Sequence, residues 1–241
     1  MHRVHPGLLC AAATVAAAGL AGCDMGPLAS GSGDLVQTSV EIESFSELSV
    51  GSAFEVTLRI GDAPALVLRT DDNLVDRVEA AVTADELSIS LDGTALDATL
   101  EAELTVPASM VSSAELNGAS TLTATESLTA SALTLDLSGA SRAFVVVQTD
   151  ELTVTADGAS VVNASGSTQT LDAAASGAST VRLDQLDASS ADVSADGASR
   201  VEVSVSGDLR AEAGGASRVR YVGDPDSVER DASGASSIEP G

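Results

Sequence analysis

Histidine, lysine, tryptophan and long apolar runs are scarce or missing in this chain of 241 residues. Histidine occurs only at His2 and His5, and lysine and tryptophan do not occur at all. Beyond residue 5 the sequence therefore excludes a histidine-based triad, a histidine metal cluster and a histidine proton shuttle. Phosphate-loop and dinucleotide fingerprints are also missing. We predict no catalytic residue, no cofactor site and no metal site, and hence a protein that is not an enzyme.

Cysteine and apolar residues are concentrated at the N-terminus. A stretch of about 16 apolar residues follows Arg3, which is shorter than the ~20 of a transmembrane helix and typical of a signal peptide. It ends in Leu20-Ala21-Gly22-Cys23, which resembles the bacterial lipobox, where the cysteine is lipidated and the chain is cut before it. The alternative is an ordinary secretory signal that contains Cys23 by chance.

The lipobox predicts a lipoprotein signal peptide at residues 1–22 and lipidation at Cys23. Cys23 would be the sole cysteine of the mature chain and could form no internal disulfide. Stable attachment needs at least two acyl chains, which bacterial lipoproteins carry. We therefore expect a lipid-anchored protein of the bacterial cell envelope, in the outer membrane or on the periplasmic face of the inner membrane.

Charge of one sign dominates the chain. Asp and Glu number 36 against 11 Lys and Arg, which gives a formal net charge of −25. Loss of Arg3 with the signal peptide would change it to −26. So acidic a chain repels phosphate backbones and anionic headgroups. Nucleic acid is excluded as a partner, and contact with the membrane is expected through the lipid alone.

A repeat fills the second half of the sequence. Gly-Ala-Ser begins at Gly118, Gly139, Gly158, Gly177, Gly197, Gly215 and Gly234. The intervals are 21, 19, 19, 20, 18 and 19 residues. Apolar residues alternate between the copies, as at Leu133, Leu135 and Leu137, and this period of two predicts strands with one buried face.

These features predict an all-β fold, a parallel β-helix (solenoid) of ~19-residue coils with Gly-Ala-Ser corners. Glycine supplies the positive φ of each corner, and the corner serines could form a ladder of hydroxyl contacts. The alternative all-β fold is a sandwich of hairpins, which does not require near-identical corners.

The remaining segments are expected to serve the solenoid. Residues 23–33 are predicted to be a lipidated flexible tether, and residues 34–241 a single domain. Within it, 34–107 would form opening coils and a cap, and 108–241 the Gly-Ala-Ser repeats. In the opening part, Asp72–Val82 has the spacing of a short helix or turn. The expected strands are Leu35–Ile42, Ala53–Ile60, Ala65–Arg69, Glu86–Leu91 and Thr99–Val106.

Four stretches resemble one known family. They are Ser-Val-Gly-Ser-Ala-Phe-Glu-Val-Thr-Leu (49–58), Thr-Asp-Asp-Asn-Leu (70–74), the repeated Leu-x-Leu-x-Leu-Ser-Gly-Ala, and Val-x-Tyr-x-Gly-x-Pro-x-Ser-Val (219–228). They are similar to the putative auto-transporter adhesin, head GIN domain family over residues 38–240. The resemblance implies a parallel β-helix on an exported, often lipid-anchored protein, and brings no catalytic residues. Arg142, Arg200 and Arg218 stand where family members often carry aspartate.

Two groups of charged residues remain as candidates for binding. Asp71-Asp72 and Asp224-x-Asp226 could offer oxygens to calcium, but they lack the spacing of known calcium loops, which favours solvated turn aspartates. Arg142, Arg200 and Arg218 follow equivalent corners and could stack as a basic stripe, or could simply balance local charge.

Three functions remain open. The favoured one is a non-catalytic, adhesin-like surface module that binds an unknown protein or glycan ligand. The second is a purely structural envelope protein. The third is a β-helix enzyme acting on polysaccharide, which an acidic groove with an aromatic floor would favour.

Overall fold

The structure, a computed structural model, describes residues 28–241. The predicted signal peptide and Cys23 lie outside the described residues. Within the described range the fold is all-β, with one short 3-10 helix at Val75–Arg77 and no α-helix. No helix in this range is long and apolar enough to cross a bilayer.

Twenty strands make up the described chain. They are β1 (Leu28–Ser30), β2 (Leu35–Val40), β3 (Glu47–Val50), β4 (Glu55–Ile60), β5 (Ala65–Asp71), β6 (Val78–Thr83), β7 (Glu86–Leu91), β8 (Thr94–Leu96), β9 (Leu100–Val106), β10 (Ser113–Leu116), β11 (Thr121–Leu128), β12 (Ala132–Leu137), β13 (Arg142–Ala156), β14 (Val161–Ala175), β15 (Thr180–Ala195), β16 (Arg200–Val205), β17 (Asp208–Ala213), β18 (Arg218–Val222), β19 (Ser227–Ala232) and β20 (Ser237–Pro240).

The predicted parallel solenoid is confirmed. Each coil has a strand that leads into a corner and a strand that leaves it, and equivalent strands of successive coils pair in parallel. The strands that lead in form the pre-corner face, in the order β7-β3-β10-β12-β13-β14-β15-β17-β19. The strands that leave form the post-corner face, in the order β9-β4-β11-β13-β14-β15-β16-β18-β20. The long strands β13, β14 and β15 contribute to both faces.

Each corner is held to the next by a backbone hydrogen bond. The N–H of the corner alanine donates to the carbonyl of the glycine one coil below, as from Ala159 to Gly139, and the distance is 2.7 Å at every step from Ala140 to Ala235. The corner glycines have φ between 68° and 76°. A Cβ on Gly158 would lie 2.6 Å from the Gly139 carbonyl oxygen, so the close stacking itself requires glycine.

The corner serines from Ser120 to Ser217 are buried, but they do not form the hydroxyl ladder that was one expectation. Their Oγ atoms donate to backbone carbonyls instead. Ser217 Oγ lies 2.7 Å from the Gly214 carbonyl of its own corner and 2.7 Å from the Ala195 carbonyl of the coil below. Ser120, Ser199 and Ser236 likewise donate to the carbonyl of the residue that ends a pre-corner strand in a coil below. Ser179 Oγ has no partner.

The core is one narrow column between the two faces. Alternate residues of every coil point into it, as shown by the buried-exposed pattern of β12 and of both halves of β13. Leucine, valine and alanine fill it, and Phe45 and Phe54 are the large aromatic side chains buried in its opening part. Because one coil cannot bury its own apolar residues, the stability lies in the contacts between coils.

The opening segment stacks out of sequence order. The first coil, β3 and β4, lies between β7 and β9 on one side and β10 and β11 on the other. Antiparallel strands then cover the base: β6 pairs with β7, β5 with β9, and β2 with β5. Residues Asp72–Val82, expected to be one helix or turn, form the 3-10 helix Val75–Arg77 and then β6.

The segment expected to be a flexible tether is bound to the domain over its described part. Strand β1 pairs in parallel with β8. The buried Asp71 carboxylate accepts N–H bonds from Thr99 and Gly33, both 2.7 Å long, and the Asn73 amide donates to the Ser30 carbonyl. These contacts, the N-terminal clasp, fix residues 28–34 on the capped base.

Candidate functional site

The acidic residues considered for calcium do not form a cation site among the described residues. Asp71 is only 1% exposed and serves the N-terminal clasp, so the expectation of a solvated turn aspartate is wrong for this residue. Its hydrogen bonds from Thr99 and Gly33 lower the pKa of the carboxyl group below its usual value. Asp224 and Asp226 are exposed in the turn between β18 and β19. No cluster of three metal-ligating side chains occurs within residues 28–241.

Arginine side chains collect on the post-corner face, where they form a patch and not the continuous stripe that was one of two expectations. Arg200 and Arg218 are paired neighbours, whereas Val161 and Thr180 separate Arg142 from them. Two further arginines, Arg182 and Arg220, lie at the next outward-facing position of their strands, and both pair in register with Glu202. The arginine patch comprises Arg142, Arg182, Arg200, Arg218 and Arg220, all exposed. None of them forms an ion pair among the described residues, where the ion-paired arginines are on other strands or on the opposite face.

The pre-corner face carries the opposite charge. Its outward carboxylates include Glu115, Asp136, Glu151, Asp172, Asp192, Asp208, Glu212, Glu229 and Asp231. Partial burial, with the like charges of Glu115 and Asp157, raises the pKa of Asp136. The pre-corner face of the repeated coils is therefore dominated by carboxylates and repels an anionic partner, whereas on the post-corner face the arginines outnumber nearby carboxylates such as Asp184 and Glu202.

A groove with a volume of about 330 Å³ crosses the same face. Its floor holds Phe144, the one aromatic side chain in the described range that is substantially exposed, at 41%. Asn163, Arg182, Asp184 and Gln185 supply its polar lining. We refer to it as the Phe144 groove.

Differences in coil length account for the groove. Residues 125–126 bulge out of β11 relative to β13, and β15 gains one residue relative to β14 between Arg182 and Gln185. Between these bulges β13 and β14 pair in regular register and form the floor. The spacing of the corners contains this signal, because intervals of 21 and 20 residues flank two intervals of 19. Phe144, Asn163 and Gln185 were not among the residues predicted from the sequence, although this spacing signal could have pointed to their coils.

Register places an aromatic ring, an amide and a guanidinium on successive rungs. Phe144 pairs with Asn163, and Asn163 pairs with Arg182. Adjacent parallel strands lie ~4.8 Å apart, so the three side chains form a row that runs along the groove, parallel to the solenoid axis. The Gln185 amide lies against the Asp184 carboxylate, with Nε2 at 3.4 Å from Oδ2. Such a row can stack on a flat ligand, exchange hydrogen bonds with hydroxyls and pair with an anion.

A second, larger groove lies at the edge opposite the Gly-Ala-Ser corners, with a volume of about 790 Å³. Serine, threonine, glutamine and aspartate line it, and it contains no aromatic side chain. Thr149 and Thr168 use their hydroxyls on backbone carbonyls, and Asp150 accepts a hydrogen bond from Gln169. Several polar side chains of this groove are therefore already hydrogen-bonded within the fold. The Phe144 groove is the better candidate for a ligand.

Several solved structures share this fold. A putative adhesin from Bacteroides fragilis matches with a TM-score of 0.82 at 18% identity, covering 88% of this chain and 99% of that one. A putative lipid binding protein from Parabacteroides distasonis gives 0.72 at 16% identity, covering 89% and 100%. A putative adhesin from Parabacteroides merdae gives 0.71 at 18%, covering 89% and 99%. At these identities the likeness establishes the fold alone.

Sequence comparison identifies the family. Comparison with curated proteins gives no match. The family profile described as putative auto-transporter adhesin, head GIN domain, matches residues 44–225, which include the first coil, the cap and most of the Gly-Ala-Ser coils. The chain therefore belongs to the putative auto-transporter adhesin, head GIN domain family.

Proposed function

We propose that this protein is a cell-envelope lipoprotein, anchored through lipid on Cys23, whose solenoid is a non-catalytic, adhesin-like interaction module. The observation that carries the proposal is the post-corner face. There, a chain with a net charge of −25 displays unpaired arginines beside a groove with an exposed aromatic ring. A purely structural protein needs neither feature. The family to which the chain belongs is described as an adhesin.

The lining of the Phe144 groove supports binding without catalysis. Glycoside hydrolysis uses a pair of carboxyl groups on the two sides of the scissile bond. Asp184 is the single carboxylate among the residues that line this groove. The described chain also offers no histidine as a general base.

The anchor can be tested in cells that express the full chain. Globomycin, which blocks the lipoprotein signal peptidase, should leave the precursor uncut, and an alkyne-labelled fatty acid should mark wild type but not Cys23→Ala. Processing that is unchanged by globomycin, or label that persists in Cys23→Ala, would contradict the lipid anchor.

The interaction module can be tested with the mature chain without its lipid, residues 24–241. It should bind envelope preparations or polysaccharide mixtures saturably, and a variant with Arg142, Arg182, Arg200 and Arg218 all changed to Gln should lose that binding. Equal binding by the two proteins would argue for a structural role. New reducing ends in the polysaccharide would argue for an enzyme.

A further inference from the structure

We propose that the Phe144 groove is a subsite for an anionic polysaccharide. One sugar ring stacks on Phe144, the amides of Asn163 and Gln185 bond its hydroxyls, and Arg182 pairs with a carboxylate or sulfate on the neighbouring sugar. This inference rests on the proposed function, because it names the ligand class of the same face.

An exposed aromatic ring lies on the floor of the groove. Phe144 is 41% exposed, although it lies in the middle of a regular strand whose register neighbours on this row are Thr123 and Asn163. Either neighbour shows that a small polar residue suits the position structurally, so the fold does not require an aromatic there. An exposed aromatic face beside planar amides offers the apolar contact and the directional hydrogen bonds that a pyranose ring presents together.

The repeat distance of the solenoid suits an extended glycan. Coils are ~4.8 Å apart, which is close to the length of one sugar unit in an extended polysaccharide. Phe144, Asn163 and Arg182 occupy three successive rungs, so a glycan lying along the solenoid axis would present about one sugar to each coil. The bulges at residues 125–126 and at Asp184 limit the groove at its two ends.

The charge of the groove and its surroundings favours an acidic glycan. Arg182 lines the groove without an ion pair, and Glu202, its register neighbour on the next coil, does not reach its guanidinium. The free guanidinium can form a bidentate pair with a carboxylate or a sulfate. Arg142, Arg200 and Arg218 flank the groove and would attract an acidic polymer, while the pre-corner face repels it.

Peptide binding fits the groove less well. Extended peptides commonly add to the free edge of a sheet, but the floor strands β13 and β14 are hydrogen-bonded on both sides. A bound helix would need a series of apolar anchors. Beyond Phe144, the groove offers only small aliphatic side chains such as Val146.

The test uses residues 24–241 and three galactose-based tetrasaccharides: an oligogalacturonate, a sulfated carrageenan fragment and a neutral galactan, measured by calorimetry at low and high salt. The two anionic probes distinguish a carboxylate from a sulfate ligand. We expect saturable binding of at least one of them, weakened by salt, and binding of the neutral probe that is at least about tenfold weaker, the factor that corresponds to ~1.4 kcal/mol.

Three variants locate the site. Phe144→Ala should weaken binding of the anionic probe by about tenfold, in line with the loss of one stacking contact. Arg182→Gln should remove the preference for the anionic over the neutral probe. Arg210→Gln, which removes an equal charge from the opposite, pre-corner face, should bind like wild type. Unchanged circular dichroism and unfolding temperature establish that each variant is folded.

Several results would overturn the proposal. They are no saturable binding of either anionic probe, equal binding of the neutral probe, wild-type affinity in Phe144→Ala, or polyglutamate binding with the same dependence on Phe144. If these probes fail while the mature chain still binds envelope material through its arginines, the ligand class is wrong and the interaction function stands. If both fail, the function is wrong as well.

Discussion

At the scale of single residues, Gly158 shows why the corners tolerate so little change. Its φ is 76°, and a Cβ would lie 2.6 Å from the Gly139 carbonyl oxygen. An L-residue there suffers both the cost of the left-handed conformation, ~1–2 kcal/mol, and a backbone clash. We expect Gly158→Ala to lower the free energy of unfolding by more than about 2 kcal/mol, since overpacking adds ~1–3 kcal/mol.

Gly33 provides the matched control for the corner glycine. Its φ is 86°, and nothing lies within 4 Å of a Cβ built on it. Gly33→Ala should therefore show the conformational cost alone. Chemical denaturation of both variants separates the two contributions, and equal losses of stability would contradict a role for close stacking.

Asp71 gives the fold a defined dependence on pH. The N–H bonds from Thr99 and Gly33 hold the pKa of this carboxyl below its usual value. Since the unfolded pKa is ~3.9, the ionised group stabilises the fold above that pH, and the contribution is lost as the pH falls through the folded pKa. Asp71→Asn should unfold at a lower temperature than wild type at neutral pH.

The pH profile of that variant is the decisive measurement. The difference in unfolding temperature between Asp71→Asn and wild type should shrink as the solution is acidified, because the wild-type carboxyl then becomes neutral too. Asp72→Asn is a suitable control, since Asp72 is exposed. A difference that does not change with pH would mean that Asp71 acts through packing and not through its charge.

The sequence predicts the role of a residue when that role depends on the residue itself or its neighbours in the chain. It does not predict the role when the bonding partner lies far away in the sequence. The corner glycines were predictable because positive φ is a property of the residue itself. The burial of Asp71 was not predictable, because the N–H groups that donate hydrogen bonds to its carboxylate belong to residues 38 and 28 positions away. The bonding of the serine hydroxyls also depends on a neighbouring coil.

At the scale of the element, the part of the Gly-Ala-Ser corner that differs from coil to coil is the bonding of its serine. Ser217 Oγ lies within hydrogen-bonding distance of two carbonyls, whereas Ser179 Oγ is buried without a partner. We expect Ser217→Ala to cost about 1 kcal/mol of unfolding free energy, the net worth of one hydrogen bond. Ser179→Ala at the equivalent position should be neutral or stabilising.

Denaturation of the two serine variants under the same conditions tests this difference directly, because both side chains lose the same atom in the same type of corner. Equal destabilisation would indicate that Ser179 has a partner, such as a water molecule.

Strands and corners of the repeated half followed from period-two alternation and the regular interval, as at Leu133, Leu135 and Leu137. The opening half was less predictable. Nothing in the sequence of β3 says that it lies between β7 and β10, because pairing order is decided by contacts between distant segments. Strand β6 has alternating apolar residues too, but Leu74 and Val75 just before it also suit a helical turn.

At the scale of the whole molecule, the two ends of the stack differ. Antiparallel strands cover the base, whereas β19 and β20 each pair on one side only within the described chain. Arg230 occupies the register position that Ala211 fills in the buried core of the coil before it. An inward charge on an edge strand discourages pairing with another molecule. Pro240 in β20 also lacks an N–H to donate.

We expect Arg230→Val to promote association of molecules end to end, since it removes the charge from this open end. Sedimentation velocity at increasing protein concentration should show dimers or larger species in the variant and monomer in wild type. Arg210→Val, on the outward pre-corner face of the previous coil, controls for the loss of one positive charge. Equal association of the two variants would contradict a specific role for Arg230.

The N-terminal clasp also determines how the molecule would bear tension. If the chain is held by lipid at Cys23 and by a ligand at Phe144, a pulling force enters at β1 on the base and leaves at β13. Between these points it runs along the solenoid axis, in the direction of the hydrogen bonds that join parallel strands. The force would then load the hydrogen bonds between coils directly, and the pairing of β1 with β8 would be the first contact to bear it. The coils that follow β15 lie outside this path. Their number could therefore differ without weakening the attachment.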